Sequence, residues 1–274
     1  MVSHTDLAVE SYESKQTDSI DGVEVTEGKN VTRVAVKTKE AAQIIGKPVG
    51  NYVTLHVKSF VNDTDIFDGR LDDFSQVLDS MVPKNSKSVL VAGLGNLSIT
   101  ADALGPKTNN YVLSTRHIAE ELEKSCGFDN VFPVSTINTG VLGETGIESA
   151  EIIKGIVGQV KPSLVIVVDA LAASSADRLG TTVQFSDSGI SPGSGVGNHR
   201  HEISRSTLGV PVISIGIPTV VSTAIISGNN SDTAFVTPRE IDRITEQGAK
   251  LIGMGINVCL QKSINCRDLF ALVG

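Results

Sequence analysis

The sequence predicts an α/β fold: a single domain on a twisted, mostly parallel mixed sheet flanked by helices, with a strand-containing N-terminal extension. Three observations predict it. Two continuous apolar runs, VLVA at residues 89–92 and LVIVV at 164–168, read as strands buried on both faces, as in a parallel sheet covered by helices. Stretches with helical spacing of apolar residues alternate with these runs, the mark of an α/β arrangement. Residues 31–36 and 52–57 alternate apolar and polar side chains instead, so the first third of the chain adds half-buried strands of another kind.

The elements follow in order. Residues 1–30 are polar and acidic with little periodicity, which predicts a peripheral segment. Strands at 31–36 and 52–57 are separated by a turn at 46–50 (GKPVG), and Leu71, Phe74, Val77, Leu78 and Met81 give a helix within 67–81. The strand beginning at Ser88 is broken by Gly93 and Gly95. A helix is expected from Pro106 to about Lys124, with proline in a first turn that needs no amide donor. Val131 to Ser135 is a short strand whose Pro133 suggests a sheet edge or strand end. The capping-box spacing of Thr145 and Glu148 precedes a helix with the stripe Ile147, Ala150, Ile153, Ile156, Val157 and Val160. The strand at 164–168 ends on Asp169, and strands at 181–185 and 210–215 flank a Gly/Ser-rich loop at 186–198. A final helix starts at Thr237-Pro238-Arg239-Glu240 and runs to about Lys262.

Composition removes several functions. The 274 residues suffice for one sizeable core, with 40% hydrophobic and 20% charged residues. Aromatic residues are 4% with no Trp, so stacking platforms for single-stranded nucleic acid are absent. Net charge is -8, and residues 1–80 carry 14 acidic against 8 basic side chains, so no basic stripe meets a phosphate backbone. No run approaches the roughly 20 apolar residues of a membrane helix. Cys126, Cys259 and Cys266 are odd in number, lack CxxC spacing and follow no charged-then-apolar leader, which predicts reduced thiols in a soluble cytoplasmic protein.

Chemistry concentrates at two acids. Asp169 terminates a buried strand directly, and Asp102 lies in the loop after another, where α/β sheets bind their ligands. If those strands are neighbours, the carboxylates converge and share a proton, supplying base and acid together for attack of water on an amide. The plain alternative is that Asp102 caps the next helix and Asp169 caps a loop. Gly93-Leu94-Gly95 lacks the third glycine of a dinucleotide fingerprint, since Ser98 stands there, and the loop around Gly193, Gly195 and Gly197 lacks the ending of a P-loop. His199 and His201 form a weak metal signal more in keeping with an exposed charged turn. His117 reads as a structural histidine, and Cys126 has no histidine beside it to make a nucleophile.

Six segments together resemble one family: TDLAVE at 5–10, GLGNLS at 93–98, ADALGPK at 101–107, VDALAA at 168–173, SDSGI at 186–190 with PGSGVGN at 192–198, and GIPTVV at 216–221. In this order they resemble the germination proteases of bacterial endospores. The resemblance implies a phosphorylase/hydrolase-like fold similar to hydrogenase maturation peptidases. It implies an atypical aspartic endopeptidase acting on small acid-soluble spore proteins in the spore core, a homotetramer, and a self-processing zymogen. It carries the essential aspartates onto Asp102 and Asp169 and the self-cleaved bond onto Asp6-Leu7, giving a prosegment at 1–6 and one peptidase domain at 7–274, with the extension at 7–85 and the core at 86–274. No cofactor is implied; the Gly-rich loop with Gly193, Gly195 and Gly197 is expected to supply backbone amides or to position the substrate strand. Three departures stand out: a short prosegment, a short stretch between Val221 and Thr237, and His199 and His201 where lysines are expected. The histidines keep a metal-dependent peptidase of the hydrogenase-maturation type as an alternative. Further alternatives are a peptidyl-tRNA hydrolase, echoed by GLGN at 93–96 and TRH at 115–117, and an inactive binding homologue.

Overall fold

The computed structural model describes residues 5–15, 19–62, 64–118, 131–197, 200–223 and 234–273. In chain order the elements are α1 (Ala8–Glu13), β1 (Val23–Glu27), β2 (Val31–Val36), α2 (Lys39–Ile45), β3 (Gly50–His56), α3 (Arg70–Met81), β4 (Val89–Leu94) and α4 (Leu104–Asn110). They continue with β5 (Val134–Gly140), α5 (Leu142–Thr145), α6 (Ser149–Val160), β6 (Leu164–Ala173), β7 (Thr182–Ser186), α7 (Arg205–Leu208) and β8 (Val212–Ser222). The last are β9 (Phe235–Val236), α8 (Ile241–Leu260) and α9 (Cys266–Val273). All described strands join one mixed sheet in the order β1-β2-β3-β7-β8-β6-β4-β5, with β9 on β8. Strands β8, β6, β4 and β5 run parallel, and β7, β3, β2 and β1 continue the sheet antiparallel.

The apolar runs fill both faces because helices cover both. Val89 and Val91 of β4, with Leu164, Ile166 and Val168 of β6, pack towards α3, α4 and α8. Leu90, Ala92, Val165 and Val167 point the other way, onto Ile153 and Val157 of α6. Each such buried Val, Leu or Ile side chain stabilises the fold by about 1.5–3 kcal/mol. Asp169 continues the row of Val165 and Val167 on the α6 face. Beyond it, Leu171 and Ala173 join a third cluster with Leu7, Val9, Val34, Ile45 and Tyr52. One polar residue therefore interrupts an apolar row between two hydrophobic clusters.

The structure corrects several boundaries. Residues 5–11 are not peripheral: Leu7 and Ala8 are fully buried, and Val9, Glu10 and Ser11 nearly so. Strand β1 and helix α2 carry no clear sequence pattern; Thr38 caps α2 by accepting the Ala41 amide, and Gly46 ends it at φ 74°. The helix expected over 106–124 begins at Leu104 and stops at Asn110. Asn257 of α8, itself buried, ends it by donating to the Tyr111 carbonyl at 2.7 Å and accepting the Leu113 amide at 2.9 Å. A cap drawn from a helix remote in sequence leaves no local signal. The helix after Thr145 is capped by Glu148 with Glu151, while Thr145 closes the short α5. The helix expected at 237 begins at Ile241 and ends at Leu260, with α9 following. Pro133 does precede an edge strand, β5. Strand β8 runs further than expected, to Ser222.

Replacing Asn257 with Ala removes both bonds that hold residues 111–113. Stability to urea should fall by about 2–3 kcal/mol; an unchanged midpoint would show that the chain leaves the helix for another reason.

Candidate active site

Strands β4 and β6 are parallel neighbours, paired from Val89 with Leu164 to Gly93 with Val168. There β4 turns away, while β6 continues to Ala173 against β8. The chain leaving β4 folds back through a single turn at Thr100–Asp102 and enters α4 directly over the strand backbones. Only glycine permits this approach. A Cβ on Gly105 would lie 2.3 Å from the Leu94 carbonyl oxygen and 2.5 Å from that of Val168. One on Gly93 would lie 2.4 Å from the Gly105 carbonyl oxygen, and one on Gly95, at φ 111°, 1.9 Å from that of Asp102. The Gly93 and Gly95 pair thus closes the loop that delivers Asp102.

Asp102 and Asp169 line one cavity of about 330 Å³ together with Asp6, Gly193 and His201. Asp102 is half-buried, and its Oδ2 accepts the Asn96 amide at 2.7 Å. Burial raises its pKa above the ordinary carboxylate value, the Asn96 amide works against that, and Glu144 adds a small upward push. Asp169 is 5% exposed and its Oδ1 accepts the Ala170 amide at 2.9 Å. Burial first, then the charges of Asp102 and Asp6, push its pKa well above the ordinary value. Two carboxyl groups so coupled hold one proton between them more readily than none. Asp169, drier and with one amide donor, is the better place for it.

The third carboxylate comes from the N-terminal segment. Past Gly93, the β6 edge facing away from β8 has lost β4 as its neighbour, and Asp6 takes that place. The Asp6 amide donates to the Ala172 carbonyl at 2.8 Å, and the Ala172 amide donates to Asp6 Oδ2 at 2.9 Å. Ser194 donates to Asp6 Oδ1 at 2.9 Å. A Cβ on Gly195 would stand 2.2 Å from Asp6 Oδ2, so this glycine admits the acid. Gln184 donates to the Asp6 carbonyl at 2.9 Å and accepts the Ala8 amide at 2.7 Å. The Lys47 ammonium donates to the Thr5 carbonyl at 2.8 Å; burial lowers its pKa, and Asp6 and Glu10 partly hold it up. Thr5 donates to Glu10, whose same oxygen accepts the Ser174 amide at 2.7 Å.

The other candidates fall as follows. Gly193 lines the cavity, Gly195 backs Asp6, and Gly197 closes a turn at φ 79° with open space where a Cβ would stand. His201 is exposed at the cavity rim, while His199 lies outside the described residues, as does Cys126. Among the described residues, no three His, Cys, Asp or Glu side chains are grouped to hold a metal ion. His117 does not line the cavity, and burial drives the Cys259 thiol up to about 12. No described helix is long and apolar enough to cross a membrane. Pattern reading missed Gln184 and Lys47. In TVQFS the glutamine falls on the polar face of an alternating strand, where it reads as solvent-facing, and Lys47 sits in an apparent turn.

A mixed α/β sheet with an acid-lined cleft at the ends of its parallel strands has the architecture of a hydrolytic enzyme. The family model for germination proteases matches residues 1–235. The chain is 36% identical to the germination protease of Clostridium perfringens, with 97% of each covered. It is 44% identical to that of Priestia megaterium, covering 98% of this chain and 75% of the relative. It also shares 36% identity with that of Caldanaerobacter subterraneus, over 98% of this chain and 97% of the other. Among solved structures, a NiFe hydrogenase maturation protease, HycI of Thermococcus kodakarensis, aligns at TM-score 0.38 and 21% identity, covering 66% of this chain and 99% of the other. The chain belongs to the germination protease family, and it is an endopeptidase.

The raised pKa of Asp169 fixes a sign for stability. The unfolded chain releases this proton near pH 4, whereas the folded chain retains it to higher pH, so folding is penalised progressively as pH rises between the two values. Asp169→Asn should therefore raise the melting temperature over wild type. The gap should be small at about pH 3.5 and widen towards neutrality. Melting followed by circular dichroism across that range checks it; a pH-independent gap contradicts the shift.

Proposed function

We propose that this protease initiates degradation of small acid-soluble spore proteins during germination, acting as a homotetramer in the spore core. On this reading it is made as a zymogen that cuts its own Asp6-Leu7 bond, and a pair of aspartates activates the hydrolytic water. The observation that carries the reading is that Asp102 and Asp169, on neighbouring strand ends, line one cavity with raised pKa values.

Asp102, half-buried and stabilised as an anion by the Asn96 amide, takes a proton from water. The water oxygen bonds to the scissile carbonyl carbon. Asp169, holding the shared proton, hydrogen-bonds the oxygen on which charge develops. The tetrahedral intermediate then collapses: the C–N bond breaks, the leaving nitrogen receives a proton from the pair, and a carboxylic acid and an amine result. One water is consumed, and the pair returns to its singly protonated form. Because the two groups titrate as a unit, activity needs one proton between them and declines once that proton is lost. The alkaline limb therefore lies above the ordinary carboxylate range.

The test is cleavage of a purified small acid-soluble spore protein, followed by mass spectrometry. Asp102→Asn and Asp169→Asn should each lower the rate about 10²–10⁴-fold while the protein stays folded. Near-normal rates in either variant would refute the mechanism. Activity abolished by a chelator and restored by a divalent metal would favour the metal-dependent alternative instead.

A further inference from the structure

Gln184 is a buried polar side chain with no place in the water-activating mechanism above. It stands on β7 in the interior of the sheet, 7% exposed, between β3 and β8. Its neighbours Val183 and Phe185 face the main core, so Gln184 projects to the opposite face, where the segment leading into α1 lies. A primary amide buried there is costly unless its donor and acceptor are both engaged. Both are engaged by main chain: Nε2 donates to the Asp6 carbonyl at 2.9 Å and Oε1 accepts the Ala8 amide at 2.7 Å.

Those two partners flank one bond. The Asp6 carbonyl belongs to the Asp6-Leu7 peptide itself, and the Ala8 amide is the next peptide group beyond Leu7. A single rigid amide therefore grips the chain on both sides of this linkage, and both of its hydrogen bonds are to main chain. The grip is reinforced on the Asp6 side by further hydrogen bonds. Ala172 pairs with Asp6 through its amide and carbonyl, and Ser194 holds the free carboxylate oxygen. On the other side Leu7 is fully buried in the cluster with Val34, Ile45 and Tyr52. Asp6 forms part of the wall between the cavity of Asp102 and Asp169 and a second one of about 170 Å³, which Gln184 lines.

We propose that Gln184 is a positioning residue for hydrolysis of the Asp6-Leu7 bond, its side-chain amide clamping the main chain on both sides of that bond. The proposal rests on the reading of Asp6-Leu7 as the self-cleaved bond. The hydrolysis consumes one water, leaving a carboxylate on Asp6 and an amine on Leu7. Gln184 exchanges no proton in it. Its part is to fix where the peptide lies relative to the carboxyl pair, and a displacement of about 1 Å at such a bond slows reaction on the order of a hundredfold.

The experiment uses the full chain with three substitutions, Gln184→Leu, Gln184→Glu and Asp169→Asn. Self-cleavage is followed by intact mass and N-terminal sequencing, and unfolding temperature is measured in parallel. Gln184→Glu keeps the acceptor for Ala8 and the size of the side chain but loses the donor to Asp6, so it serves even if Gln184→Leu folds poorly. Both Gln184 variants should release residues 1–6 about tenfold or more slowly than wild type, while cleavage of an added small acid-soluble spore protein, measured per processed molecule, changes less than twofold. A merely structural glutamine would lower the unfolding temperature and both activities together, which would overturn the proposal. So would wild-type self-cleavage rates in a folded Gln184→Glu. If the wild-type chain cleaves the added protein but leaves Asp6-Leu7 intact, the self-cleavage reading fails, and the role of Gln184 with it. If wild type and Asp169→Asn release residues 1–6 at equal rates, the assignment of the carboxyl pair fails on its own.

Discussion

A carboxyl group held almost out of water at the end of the most apolar strand is the constraint around which this molecule is arranged. Asp169 follows five fully buried residues and lies in a row of hydrophobic side chains. An isolated carboxylate there would be costly, so burial holds its pKa well above the ordinary value. Asp102 comes from the loop after the adjacent strand, and Asp6 from a segment more than 160 residues away in the chain. Each brings negative charge towards Asp169 and each increases its hold on the proton. The protein tolerates this because its stability derives elsewhere, from apolar packing on both faces of β4 and β6.

Bringing three acids to one strand end requires backbones to touch. Gly93, Gly95 and Gly105 let α4 and the preceding turn lie against β4 and β6, and Gly195 lets the loop after β7 close on the Asp6 carboxylate. Gly93 and Gly95, which invite a dinucleotide-binding reading, are thus explained by proximity: at each a Cβ would strike a main-chain oxygen.

The N-terminal segment shows how far tertiary context can reverse a compositional reading. It is polar, yet Thr5, Glu10 and Ser11 are each at most 5% exposed. The segment's partners lie far off in sequence: Ser174 for Glu10 Oε2, Lys47 and Ala172 for the main chain around Thr5, and Gln184 for Asp6 and Ala8. Lys47 is drawn into the same network, where burial weakens its charge and two acids partly restore it.

What the sequence determined by itself is the parallel core and two of its acids. The runs at 89–92 and 164–168 are continuous and apolar because both faces are covered, and an acid just past such a run marks a strand end facing a crevice. Asp102 and Asp169 were legible for that reason, and the six matching segments named the family. Only the tertiary structure decided that their strands are neighbours, that Asp6 stands beside them, and that Gln184 and Lys47 are buried partners of the N-terminal segment. The same holds for the end of α4, which Asn257 sets from 147 residues beyond Asn110. The physical reason is common to all of these. Strand burial and local caps depend on neighbours within a few residues and leave a period in the sequence, whereas a hydrogen bond between distant segments imposes only a polar residue, and a polar residue in an alternating strand looks the same whether it faces water or the chain's own backbone.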